Sequence, residues 1–255
     1  LCHYLVARKK PLARLENKSV SVVVPCRNER DNIEQAINRI PSLGTHTEII
    51  FVEGHSTDDT WKEIQRVQQA YPQFDIAILQ QPGEGKGDAV RVGFDYAKGD
   101  ILMILDADLT VPPEDLKKFY EAICLGKGEY VNGSRLIYGM EDQAMRFLNL
   151  LANHLFALTF TFLINQRLTD TLCGTKVLKR SDYKEIMESR KYFGDFDPFG
   201  DFDLIFGASK LNLKLVEIPV RYASRRYGST QISRFRHGLL LLRMVMFAYR
   251  KLKAI

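Results

Sequence analysis

Short apolar runs alternate with longer amphipathic stretches through the first hundred residues, and this rhythm constrains the fold more than any other feature. Val20–Pro25 (VSVVVP), Glu48–Val52 (EIIFV), Ile76–Leu79 and Ile101–Leu105 (ILMIL) are rich in β-branched residues. Between them lie Asn32–Ile40, Thr57–Tyr71 and Lys86–Ala97, each mixing polar and apolar side chains. Continuous apolar strands separated by helical segments predict a mostly parallel sheet covered on both faces, an α/β, Rossmann-like unit. Asp31 or Asn32 is expected to cap the first helix, and Ser56 or Thr57 the second.

After about Gly133 the rhythm changes. Arg146–Ile164 reads as a long apolar helix interrupted by Asn149, Asn153, His154 and two threonines. Phe199–Leu211 reads as another helix, Lys214–Val220 as a strand and Phe235–Leu252 as a helix. The first long apolar stretch has too many polar residues for a membrane span, and Arg243 breaks the last. The organisation expected is an extension or linker over 1–18, a globular domain over 19–234 and a basic amphipathic helix over 235–255. The first residue, Leu1, is not Met, so a longer parent chain is expected; no signal peptide is visible.

Charge is uneven. From Ile218 to Ile255 there are nine Lys/Arg and no Asp/Glu, so this tail carries +9 of a net +5 and the remainder −4. Such a tail suits anionic lipid, nucleic acid or phosphate-bearing substrates. Its leucines and methionines are poor stacking groups, which ranks nucleic acid last. Four cysteines (Cys2, Cys26, Cys124, Cys173) are widely spaced, without zinc-ligand or Cys-x-x-Cys spacing, which argues against a disulfide scaffold or a structural zinc.

In an open parallel sheet, ligands bind beyond the carboxyl ends of the strands. Here those ends carry Pro25-Cys26-Arg27-Asn28-Glu29, Glu53-Gly54-His55-Ser56-Thr57-Asp58 and Asp106-Ala107-Asp108. Alternation beyond the fourth strand is expected to send the carboxylates of Asp106 and Asp108 the same way. Such hard oxygens suit Mg²⁺ or Mn²⁺ bridging to a diphosphate; the alternative is an ordinary acidic turn before a helix near Pro113. Gly83-Glu84-Gly85-Lys86-Gly87 fails both the P-loop and the dinucleotide spacing, and reads as a turn placing Lys86 at a helix N-terminus where an anion could sit. Arg135, Lys176, Arg225 and Arg226 each lie beside a glycine turn and are further candidates for phosphate.

Taken together, VVVPCRNE at 22–29, VEGHSTDDT at 52–60, GKGDAV at 85–90, LDADLTVPPEDL at 105–116 and NGSR at 132–135 resemble the family-two glycosyltransferases. DTLCGTK at 170–176 and RYGSTQ at 226–231 extend the resemblance, most closely to polyprenyl-phosphate sugar transferases of the dolichol-phosphate mannosyltransferase type. The resemblance implies a GT-A fold and inverting transfer from a nucleotide-diphosphate sugar, UDP- or GDP-linked, to a polyprenyl phosphate. Transfer to a saccharide or protein hydroxyl, and a binding module without catalysis, are the alternatives. Carried over position by position, Pro25, Arg27 and Glu29 line the nucleobase pocket with Val52 and Glu53 nearby. Asp106 and Ala107 meet the nucleoside, and Asp108 holds Mg²⁺ or Mn²⁺. Arg135 faces the diphosphate or the acceptor phosphate, joined by Arg225 or Arg226.

Several positions depart from the family pattern. Arg27 stands where an aromatic residue is usual, and Gly54 where a second acidic residue usually follows Glu53. Thr110 replaces a frequent Gln, and Gln231 a common Lys. A phosphate acceptor is already charged and requires no base, whereas a hydroxyl acceptor requires one; Asp203 is the first candidate and Asp201 the second. Both could equally be helix N-terminal carboxylates that meet the dipole. The basic, apolar Phe235–Leu252 segment has the composition of a helix lying in the membrane interface, with Arg146–Ile164 beside it, so peripheral attachment to the cytoplasmic membrane face is expected. Two core helices are the alternative.

Overall fold

The computed structural model describes residues 14, 16–136, 147–190, 202–223, 227 and 234–253, and not the side chains of 147–153, 234–238 and 241. Four strands come from the runs visible in the sequence: β1 (Val20–Cys26), β2 (Thr47–Glu53), β3 (Asp75–Gln80) and β4 (Ile101–Ile104). The helices between them are α1 (Arg30–Arg39), α2 (Thr60–Ala70) and α3 (Lys86–Tyr96). A short 3₁₀ turn at Pro113–Asp115 leads into α4 (Leu116–Cys124), followed by β5 (Tyr130–Ser134) and α5 (Phe147–Ile164). Then come β6 (Lys176–Lys179), α6 (Arg180–Glu188), α7 (Phe202–Lys210), β7 (Leu215–Pro219) and α8 (Arg234–Leu252).

The seven strands form one sheet in the order β3-β2-β1-β4-β6-β5-β7. All pairings are parallel except those of β6, which runs antiparallel to β4 and β5. Side-chain alternation divides the interior into two layers. Val22, Val24, Ile49 and Phe51 face α1, α2 and α4 on one side, while Val23, Ile50 and Val52 face α3 and α5 to α8 on the other. Phe160, Phe202 and Phe206 anchor the second layer, with ring centroids 5.1 to 6.0 Å apart.

Several expectations are corrected. The first helix starts at Arg30 with Glu29 at its N-cap, and the second at Thr60 with Asp59 at its N-cap, so none of Asp31, Asn32, Ser56 and Thr57 is a cap. Instead the Asp58 carboxylate accepts the Thr60 backbone N–H at 3.0 Å. Gly133, before Arg135, lies within β5 rather than in a turn, and Lys176 opens β6 directly after the irregular segment that holds Gly174. Strand β4 ends at Ile104, so alternation does not govern Asp106 and Asp108; they lie in a turn closed by the Leu109 N–H on the Asp106 carbonyl at 3.1 Å.

Candidate functional site

Register brings the chemistry to one edge. Cys26 lies opposite Glu53 and Glu53 opposite Gln80, so β1, β2 and β3 end level. Because β6 is antiparallel, its first residue, Lys176, sits where the parallel strands finish. Three non-glycine residues with positive φ follow three of these strands: Asn28 (57°), His55 (56°) and Leu109 (54°). Asparagine tolerates this region, whereas for leucine it is strained, and such strain persists only where the surroundings impose it.

At the β1–β2 end, polar bonds between neighbouring loops fix the walls. Asn28 N–H donates to Ser56 Oγ at 3.0 Å, Thr57 N–H to Asn28 Oδ1 at 2.8 Å and Glu29 N–H to Thr60 Oγ1 at 2.9 Å. The carboxylates of Glu29 and Glu53 are both buried. Glu29 accepts from Asn32 Nδ2 at 2.7 Å, and Glu53 from the Ser56 N–H at 2.5 Å. Burial, together with the charges of Glu29 and Glu53, pushes the Cys26 thiol well up, so it is no thiolate nucleophile. Pro25 is half-buried, and Arg27 is exposed with no partner among the described residues. The Val52 side chain is wholly inside the second core layer, which leaves only its backbone for this wall.

At the β4 end, Lys86 Nζ lies 2.6 Å from Asp106 Oδ1. The Gly85 N-cap of α3 has φ 83°, a conformation that glycine adopts without penalty. A Cβ at Gly174 would lie 1.9 Å from Asp106 Oδ2 and 2.5 Å from Lys86 Nζ, so only glycine allows this pair to form there. Burial works against the Asp106 charge, but Lys86, then Lys176 and Arg135, outweigh it and hold the carboxyl below its ordinary range. Ala107 is buried. Asp108 accepts the Thr110 hydroxyl at 2.8 Å and its N–H at 3.1 Å, so Thr110 orients this carboxylate.

Lys176 is 0% exposed and its ammonium donates to the Cys173 carbonyl, so it acts on the edge through its charge rather than by reaching solvent. Arg135 is likewise engaged. Its Nε and Nη2 donate to the wholly buried Asp170 at 2.7 and 2.8 Å, and its guanidinium lies 5.1 Å from the Tyr222 ring centroid. Burial alone would lower the Arg135 pKa, but the Asp170 bonds outweigh that and raise it. Asp170 also accepts the N–H groups of Leu172 and Cys173. The Cys173 thiol is pushed up to about 11 by burial and by Asp170.

Asp203 lies in the first turn of α7, 7% exposed, with Arg190 Nε 3.2 Å and Arg91 Nη1 3.7 Å from its Oδ2. Two guanidiniums therefore hold this carboxylate. Arg225, Arg226, Asp201 and Gln231 lie outside the described residues. The sequence alone assigns no role to Asp170, Ala223 or Tyr227. Beyond β7, Ala223 N–H donates to the Thr110 carbonyl at 2.9 Å, and the Tyr227 phenol faces Asp31 and Asp58, beside Arg30. The signal for Asp170 was its place in DTLCGTK, close in sequence to Lys176.

Among the described residues, Lys86, Lys176 and Arg135 meet the carboxylates of Asp106, Asp108 and Asp170 around the Asp106–Asp108 turn, with Glu217 accepting the Asp170 N–H beside them. Among the described residues no cluster of three or more His, Cys, Asp or Glu could cage a metal. Oxygen donors of this kind fit Mg²⁺ or Mn²⁺ only when the remaining ligands come from substrate phosphate and water.

Away from this edge, α5 and α8 pack together. Lys253 Nζ donates to Asn165 Oδ1 at 2.6 Å and sits 5.0 Å from the Phe162 ring centroid. Met244 and Ala248 are buried in the second core layer, yet Leu155, Leu158 and Phe162 on α5 and Leu239, Leu242, Met246 and Tyr249 on α8 are exposed. Arg243, Arg250 and Lys251 are exposed beside them. Among the described residues no helix is long and apolar enough to cross a membrane.

Comparison with known proteins agrees with this architecture. The dolichol-phosphate mannosyltransferase of Pyrococcus furiosus is 38% identical over 123 residues, covering 47% of this chain and 34% of that protein. The undecaprenyl-phosphate 4-deoxy-4-formamido-L-arabinose transferase of Edwardsiella ictaluri is 27% identical over 232 residues, covering 89% of this chain and 66% of that protein. The chain thus spans between about one third and two thirds of the length of these relatives. Glucosyl-3-phosphoglycerate synthase of Mycobacterium tuberculosis, crystallised with Mn²⁺, uridine diphosphate and glucosyl-3-phosphoglycerate, superposes with a TM-score of 0.63 at 16% identity. That superposition covers 92% of this chain and 80% of the synthase, and shows a shared fold. The profile of glycosyl transferase family 2 matches residues 21–187, and with the motifs and topology above, the chain belongs to that family.

Proposed function

We propose that the chain transfers a sugar, with inversion, from a nucleotide-diphosphate sugar to a polyprenyl phosphate, using Mg²⁺ or Mn²⁺. The observation that carries this reading is the turn after β4, where the cations Lys86 and Arg135 are already paired with carboxylates. A diphosphate arriving there brings uncompensated negative charge, which a divalent cation on Asp108 would offset. When bound, that cation stabilises the charge developing on the leaving nucleoside diphosphate. The protein's own residues do the rest: Thr110 orients Asp108, Lys86 and Lys176 set the potential at Asp106, and Arg135 is held by Asp170 at the same edge. Pro25, Arg27, Glu29 and Glu53 are assigned to the nucleobase end, Lys86, Asp106 and Ala107 to the nucleoside and diphosphate, and Arg225 and Arg226 to phosphate. The synthase with the same fold binds Mn²⁺ and uridine diphosphate, and both named relatives act on polyprenyl-type phosphates, which supports the reading.

A phosphate acceptor attacks without a base, so Asp203, between Arg190 and Arg91, is a positioning group here and becomes the base only for a hydroxyl acceptor. The unit over 19–234 is assigned to catalysis and 235–255 to a membrane-facing helix. Seven exposed apolar side chains flanked by Arg243, Arg250 and Lys251 complement an anionic lipid surface, such as the cytoplasmic membrane face where a lipid phosphate resides.

Radiolabelled UDP- and GDP-sugars, incubated with polyprenyl phosphate or the corresponding free polyprenol in mixed micelles, test the reaction. The expected result is metal-dependent transfer to the phosphate alone. Transfer to neither acceptor, with donor binding intact, contradicts it.

A further inference from the structure

Arg135 is held by Asp170, and the segment that carries Asp170 is itself held by a side chain from the last strand. Glu217 lies on β7 opposite Asn132 of β5. Its two carboxylate oxygens take two successive backbone donors: Oε2 accepts the Thr169 N–H at 2.8 Å, and Oε1 accepts the Asp170 N–H at 3.1 Å. Asn132 adds a third tie, its Nδ2 donating to the Asp170 carbonyl at 2.8 Å and to Glu217 Oε1 at 3.3 Å. Among the described residues no cation pairs with Glu217, so amide donors alone meet this carboxylate.

Residues 169 and 170 belong to no helix or strand, yet both of their N–H groups and the 170 carbonyl are bonded to side chains of the sheet. A backbone fixed in this way delivers the Asp170 carboxylate to one position. There it accepts the Arg135 backbone N–H at 3.0 Å, Nε at 2.7 Å and Nη2 at 2.8 Å. Two parallel N–H···O bonds set the plane of a guanidinium as well as its distance. A guanidinium has five donors, so this pair leaves three for another group. The Arg135 charge acts on Asp106 in the turn after β4, which places it at the candidate site.

Resting on the sugar-transfer reading above, in which Arg135 meets phosphate, we propose that Glu217 is a positioning residue for Arg135, acting through the Asp170 backbone. The amide of the same shape cannot replace it. Glutamine offers one acceptor oxygen where two N–H groups point, so one of them faces an NH₂ group and loses its partner. The 169–170 segment then shifts, and the guanidinium plane shifts with it. Displacing a site group by about 1 Å can lower a rate by about a hundredfold.

Transfer assays on a double-mutant cycle test this. Glu217→Gln is expected to lower kcat/KM about tenfold in the wild-type background. In Arg135→Lys, which keeps the charge but lacks the paired geometry, the same change is expected to cost less than about twofold. Unchanged kcat/KM in Glu217→Gln, or the same loss in both backgrounds, overturns the proposal, since a merely structural effect does not depend on Arg135. Nitrogen-15 NMR adds a reading that begins with the wild-type chain. Its Thr169 and Asp170 amides are expected to exchange with water at least about a hundredfold more slowly than free amides, and Glu217→Gln to speed exchange of the Arg135 Nε–H about tenfold. Rapid exchange of both amides in the wild type overturns the proposal without any variant needing to fold. A wild-type chain with these amides protected that transfers sugar to no acceptor overturns instead the reading on which the proposal rests.

Discussion

The carboxyl edge of the sheet and the outer face of α5 and α8 are finished in opposite ways. At the edge, Asp106, Asp108, Asp170, Glu29, Glu53 and Arg135 are all held by side-chain partners or backbone N–H groups. On the outer face, Leu158 is 71% exposed, and Leu155, Phe162, Leu239, Leu242 and Met246 are each more than half exposed. Specific pairs build the first surface, so removing one partner leaves another stranded. Apolar area left in water builds the second, which folding does not require and which fits a function at a lipid surface.

The comparison breaks first if the buried pairs prove dispensable. Asp170→Asn leaves Arg135 without its partner and is expected to cost about 4 kcal/mol in urea denaturation, as for other broken buried ion pairs. A loss below about 1 kcal/mol would show that Arg135 finds water instead. Next, Asp108→Asn is expected to lower transfer by about a hundredfold to a thousandfold, a loss of the size seen when one transition-state-stabilising group is removed. Loss of transfer with the melting temperature retained would place the effect at the site rather than in folding. On the outer face, Leu158→Glu combined with Met246→Glu should leave stability within about 0.5 kcal/mol per site and abolish co-flotation with anionic liposomes at low salt. Substantial destabilisation there would make these side chains part of the core.

The smallest effect concerns acid. Asp106 has a depressed folded-state pKa, so its stabilisation is complete above the unfolded value near about 4 and is lost as pH falls through the folded value. Asp106→Asn should therefore flatten the pH dependence of stability on the acid side of that window and leave it unchanged near neutrality. An unchanged acid limb in this variant would mean that the three cations do not hold the carboxylate charged.

Strands β1 to β4 were legible because their residues are apolar on both faces of a covered sheet. Strands β5 and β6 were not. Tyr130–Ser134 carries Asn, Gly and Ser, and Asn132 is buried only because its amide finds the Gly133 and Asp170 carbonyls, partners distant in sequence or hidden in the backbone. Lys176 begins a four-residue strand whose direction no local pattern reveals, and that direction is what buries its ammonium beside Asp106. The carboxyl-edge motifs were readable as a set, yet their pairings were not: nothing in the sequence shows that Asp170 holds Arg135 or that the Val52 side chain packs into the second core layer. Spacing reports which residues reach the edge, and tertiary contacts decide which of them remain available.

The central claim is that the turn after β4 holds a divalent cation only together with a nucleoside diphosphate. Room-temperature electron paramagnetic resonance of free Mn²⁺ measures this directly. The account predicts that protein alone leaves the free-ion signal nearly unchanged, that protein with UDP depletes it well beyond UDP alone, and that Asp108→Asn abolishes the excess depletion. Equal depletion without nucleotide, or in Asp108→Asn, would contradict it.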